Sequence, residues 1–146
     1  MKKILITLTA AAALLLSGVS TVFAGNDFDK PHKVVIQVSS EDPLIHKIAI
    51  NNAVNVQKAL GAENVAVEIV AYGPGLSIMT PKSPESGRIP DLAMTDITFS
   101  ACGNTMKKVE KKSGKMPKLV EGVTVVPAGV IRIMELQAQG YAYIRP

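Results

Sequence analysis

Cysteine and aromatic residues are scarce in this chain of 146 residues, which has one Cys, no Trp, three Phe and three Tyr. A single cysteine excludes an intramolecular disulfide, a CxxC redox pair and a cysteine-rich zinc site. Histidine is nearly as rare. His32 precedes the first apolar run and His46 sits in the first helical turns, so no general base is evident beside the thiol and each reads as an ordinary surface or core residue. No spaced His/Cys/Asp cluster suits a metal, and Met79, Met94, Met106 and Met116 read as core filler rather than soft ligands. No metal and no cofactor are expected. The length excludes a two-domain enzyme with a separate cofactor module, and 47% hydrophobic residues exclude a disordered chain.

Only one apolar run approaches membrane dimensions. Lys2 and Lys3 precede Ile4–Leu16, and small or polar residues then lead to Val22-Phe23-Ala24. Its 13 residues fit the h-region of a secretory signal and fall short of the roughly 20 needed to span a bilayer. Cleavage is expected after Ala24, leaving residues 25–146 as one exported, periplasmic domain with no membrane attachment. The net charge of +4 then falls to +2, because two of the 16 basic residues leave with the signal. That balance gives no argument for nucleic-acid binding, which wants a clustered basic face with groove-reading or stacking residues.

Within the exported part, Lys33–Ser40 reads as a strand. A helix follows, with Asp42 as N-cap, Pro43 at N1, apolar residues at spacings of three and four through Leu60, and Gly61 as its stop. Val65–Tyr72 is a second strand, with Glu68 its one charge, ending at Gly73-Pro74-Gly75. Residues 80–91 hold Pro81, Pro84 and Pro90 and read as an exposed loop, either a lid or an oligomer contact, with a short helix over Pro90–Met94. Ile97–Ala101 is a third strand, Thr105–Lys112 a basic helix and Val123–Val126 a fourth strand. Pro127-Ala128-Gly129 opens a helix through Gln139, and Tyr141–Ile144 is the last strand. Short apolar strands alternating with helices predict a three-layer α/β/α fold with a mainly parallel sheet of about five strands. Ligands in such sheets sit outside the carboxyl ends of the strands, which selects the loops after Ser40, Tyr72, Ala101 and Val126.

Cys102 falls in one of those loops, where a strand hands over to a helix. Unpaired N–H groups and the positive end of the helix dipole favour an anion there, so a thiolate is stabilised. The competing reading is a small buried hydrophobe in a tight Ala101-Cys102-Gly103 packing. Lys111 lies about 13 Å along the helix axis, beyond a screening length of about 8 Å, so only Lys107 and Lys108 of the Lys-rich stretch could approach the thiol. The candidate pocket comprises Gly73, Pro74 and Gly75 as a turn that brings backbone close, with Gly103, Asn104 and Thr105 at the helix start. The amides of Asn52 and Asn55 complete it.

The stretches KVVIQVSS, Asn52-Ala53-Val54-Asn55, VEIVAYGPGL, FSACGNTM and VVPAGVIRIMELQAQGYAYIRP together resemble the DsrE/DsrF-like family, in its small group with a single strand-end cysteine. The resemblance covers residues 33–146. It implies an α/β protein that assembles into trimers or hexamers and, in sulfur relay, carries sulfur as a cysteine persulfide, which makes Cys102 the acceptor and a donor or acceptor protein or small thiol its partner. A carrier of this kind needs one nucleophilic sulfur and no resolving pair, unlike a turnover enzyme of the thiol oxidoreductase type. The alternative is a non-catalytic binding or assembly module with an inert cysteine.

Overall fold

The computed structural model describes residues 30–146, so the expected signal segment lies outside the described residues. Two β-branched runs form the centre of the sheet, β1 (His32–Val38) and β2 (Val65–Ala71). They are joined by α1 (Pro43–Leu60), whose ends follow from its sequence. The Asp42 carboxylate accepts a hydrogen bond from the Leu44 N–H at 2.9 Å, and Gly61 closes the helix at φ 87°. Then come α2 (Ile89–Ala93), β3 (Ile97–Cys102), α3 (Gly103–Ser113), β4 (Val123–Val126), α4 (Gly129–Ala138) and β5 (Ala142–Ile144). The sheet order is β4-β3-β2-β1-β5 with every neighbouring pair parallel. This is the expected α/β architecture.

Because side chains alternate along a strand, each face has its own inventory. Val34, Ile36, Val38, Val67, Ile69, Phe99 and Ala101 point to the first face. There they pack with Ala49, Ile50 and Ala53 of α1, Ile89 of α2 and Met106 of α3. Val35, Ala66 and Val70 point to the second face and meet Ile133 and Leu136 of α4, with Tyr141 beyond it. The second face also buries Gln37, Glu68 and Ser100. Among the described residues, three helices therefore cover one side, and α4 alone crosses the other to carry the chain from one sheet edge to the opposite edge.

Residues 73–91 depart from the sequence expectation. Gly73–Met79 is a 3₁₀ helix rather than a simple turn, and it buries Leu76, Ile78 and Met79. Gly75 allows this, because a Cβ there would lie 2.2 Å from the Val38 carbonyl oxygen at the end of β1. The Pro-rich stretch is not an exposed loop throughout. Thr80, Ser83 and Ile89 are buried, a second 3₁₀ turn covers Ser86–Arg88, and α2 starts at Ile89 with Pro90 in its first turn. Prolines that cannot join a ladder fit 3₁₀ turns and helix starts, where no amide donor is missed. His46 fixes the stretch to α1. Its Nε2 lies 2.8 Å from the Ser40 carbonyl and so carries the proton, leaving Nδ1 to accept from the Ser83 hydroxyl at 3.2 Å. His46 is thus a satisfied core residue, while His32 is exposed. Of the four methionines that read as core filler, Met79 and Met106 are buried, whereas Met94 and Met116 face solvent.

Candidate functional site

The topology creates a crevice at one place. After β3 the chain leaves as α3 toward the first face, and after β4, its hydrogen-bonded neighbour, it leaves as α4 toward the second. Adjacent strands whose connections diverge to opposite faces open a gap at their carboxyl ends, with a helix N-terminus on each side. Cys102 is the last residue of β3, the N-cap of α3 and the register partner of Val126 at the end of β4. Its sulfur therefore stands at the N-termini of two helices, not the one that the sequence reveals.

Burial pushes the Cys102 thiol up, but hydrogen bonds outweigh it. The Thr105 hydroxyl contributes most, followed by the backbone N–H groups of Gly129, Thr105 and Asn104, and the net pKa lies below the ordinary value of 9.0. Hydrogen bonds, rather than Lys107 or Lys108, lead this lowering. Thr105 owes its orientation to the β2 loop. Its Oγ1 accepts the Gly73 N–H at 2.9 Å, which leaves its single proton free to point at the sulfur. Gly129 owes its contribution to size. A Cβ there would sit 3.1 Å from Tyr72 Cβ and 3.3 Å from Cys102 Cβ, tight enough to hold α4 away from the thiol. Asn104 acts through its backbone, whose N–H also reaches the Pro127 carbonyl at 3.2 Å, while its side chain is exposed.

Of the residues singled out from sequence, Gly73, Gly103, Asn104 and Thr105 gather around Cys102 by bonding or chain adjacency. Gly75 is buried beneath the turn, and Pro74 is exposed at the wall of an adjoining groove. Asn52 and Asn55 are not brought to the thiol. They lie in the half of α1 that runs toward the amino ends of the strands, where Gln57 bonds the Thr95 carbonyl just before β3. Asn52 is half-buried and Asn55 exposed. Among the described residues no group of three or more His, Cys, Asp or Glu side chains could hold a metal ion.

Sequence reading missed Gly129 and a polar network beneath it. Glu68, 3% exposed at the centre of β2, accepts two hydrogen bonds from Arg132, from Nε at 2.8 Å and Nη2 at 2.7 Å. The Ser100 hydroxyl adds a third at 2.6 Å. The bond to Glu68 holds the Arg132 guanidinium still further above its ordinary value, against the opposing effect of burial. This fork fixes α4 three residues after Gly129, and so fixes the N–H that Gly129 presents to Cys102. The lone acid in an apolar strand was the available signal. Its partner stands 64 residues away and could not be paired with it by pattern.

A parallel α/β protein with one anion-favouring thiol at its strand-end crevice is the class that this fold and site define. The DsrE/DsrF-like family model matches residues 32–146, and the chain belongs to that family. Its structure is similar to that of the protein of unknown function MTH1491 from Methanobacterium thermoautotrophicum, with a TM-score of 0.70 and 33% sequence identity over 79% of this chain and 99% of that one. No curated protein matches the chain.

Proposed function

We propose that this protein is a sulfur carrier in which Cys102 accepts, holds and passes on sulfane sulfur. The carrying observation is the set of donors around one sulfur: the Thr105 hydroxyl and the N–H groups of Gly129, Thr105 and Asn104. Hydrogen bonds to a charged group contribute about 1.5–3 kcal/mol each, and together they favour the thiolate over the thiol. The thiolate attacks the outer sulfur of a donor persulfide, R–S–SH. A Cys102 Sγ–S bond forms as the donor's S–S bond breaks, and the donor leaves as R–S⁻, with no net oxidation. The same donors that stabilise the thiolate suit the persulfide anion. Membership of the DsrE/DsrF-like family supports a relay of this type.

Mass spectrometry of protein isolated without reductant, before and after polysulfide, tests the reading. Mass increments of whole sulfur atoms on the Cys102 peptide are expected, reversed by reductant and lost in Cys102→Ser. A thiol that takes up no sulfur contradicts it.

The protein is also proposed to work in the periplasm and to assemble as a homo-oligomer, a trimer or hexamer. The outer side of α4 supports assembly, since Val130, Ile131 and Met134 are each more than half exposed there. Light scattering checks the second point. An intact mass beginning at Gly25 in the periplasmic fraction checks the first. One observation favours the other reading, a binding or assembly module with an inert cysteine: Cys102 is only 5% exposed in one chain. On that reading Cys102→Ser leaves function intact and folded protein resists alkylation.

A further inference from the structure

Between the 3₁₀ segment after β2 and the connection from α3 to β4 runs an open groove of about 620 Å³. Its floor is apolar, with Leu76 from the first segment, Val109 from α3 and Met116 beyond it. Lys82 stands on one bank, and Lys115 and Lys118 stand on the other. Among the described residues, Glu41 is the one acidic residue in its wall. None of the three lysines has an ion pair or side-chain hydrogen bond among the described residues, so their charge is uncommitted. Val109, Met116 and the three lysines are exposed, so the groove is open to solvent along its banks. It can receive one side of an extended chain.

We infer that this groove docks an acidic, apolar peptide segment of a partner protein, its carboxylates bracketed by Lys82 on one bank and Lys115 and Lys118 on the other, its apolar side chains on Leu76, Val109 and Met116. Charge complementarity selects the sign of the occupant, and the exposed, adaptable Met116 suits a peptide surface. The groove also reaches the sulfur site. Gly73 forms part of its wall, and the Gly73 N–H binds the Thr105 hydroxyl that faces Cys102. A docked segment therefore meets the residue whose N–H orients Thr105 toward Cys102, beside the crevice where a donor or acceptor of sulfur must come. In that purpose the inference rests on the carrier reading.

The test is selection of a random peptide library on the full chain from Gly25, followed by fluorescence anisotropy with an enriched peptide. Enriched sequences are expected to carry acidic residues next to apolar ones. Their affinity should fall about tenfold or more in the triple variant Lys82→Glu, Lys115→Glu, Lys118→Glu, and should weaken with salt. These positions are exposed and unpaired, and circular dichroism of the variant verifies its fold. No enrichment, enrichment without acidic preference, binding that survives charge reversal, or full competition by octanoate as a small amphipathic anion would each overturn the inference. Sulfur uptake from inorganic polysulfide, measured on the same variant, separates the two proposals. Uptake should persist when peptide binding is lost, whereas its absence in the parent chain counts against the carrier and not against the groove.

Discussion

The two faces of the sheet bury similar strands for different ends. The first face is apolar from Val34 through Phe99 and is covered by α1, α2 and α3. The second interrupts its apolar contacts with Gln37, Glu68 and Ser100, has α4 as its one helix among the described residues, and ends at Cys102. The first holds the chain together by area removed from water. The second spends part of that area on a polar network that fixes the N-terminus of α4 over a sulfur atom. A strand that buries a fully bonded acid marks the face where position matters more than burial.

Substitutions can separate these roles. The largest loss of stability is expected on the apolar face. Ile50→Ala should cost about 4 kcal/mol in chemical denaturation, with the thiol's titration unchanged. On the polar face, Arg132→Met leaves Glu68 buried without its cation and should cost about 2–3 kcal/mol, the lower end for a buried pair because Arg132 is one-third exposed. Pairing it with Glu68→Leu should recover much of that loss, but leave Cys102 slower toward iodoacetamide because α4 is no longer held. Thr105→Val should raise the Cys102 pKa and cost less stability than Ile50→Ala, chiefly through the Gly73 N–H that it leaves unpaired, and Thr105→Ser should restore both. If Thr105→Val instead destabilises the fold as Ile50→Ala does, the division between the faces fails. Gly129→Ala should cost about 1–2 kcal/mol and reduce thiol reactivity, because its Cβ meets Tyr72 and Cys102.

The elements were legible where one stretch of chain carries its own instruction. Asp42-Pro43 and Gly61 bracket α1, and the runs at Val34 and Val65 could hardly be other than buried strands. The strand-end position of Cys102 was legible for the same reason. Segment 73–79 was legible only at Met79, because Gly73-Pro74-Gly75 reads as a turn and hides that Leu76 and Ile78 are core. The second helix end at the thiol was not legible. Gly129 reaches Cys102 only because α4 departs on the opposite face from α3, a property of the topology rather than of either segment. Asn52 and Asn55 read as pocket amides, yet the direction of α1 carries them away from the strands' carboxyl ends.

The lowered pKa has a consequence for stability. The folded-state value lies below that of the unfolded chain, so the thiolate's contribution is complete above about pH 9 and is lost as pH falls through the folded-state pKa. The stability difference between the parent and Cys102→Ser should therefore grow with pH across that window.

The most direct measurement is the pH dependence of Cys102 alkylation in the folded chain, followed by intact mass at each pH. The helix-end crevice requires reaction with a midpoint below 9.0, moving upward in Thr105→Val. A midpoint at or above 9.0, or a thiol that reacts only after unfolding, would contradict it.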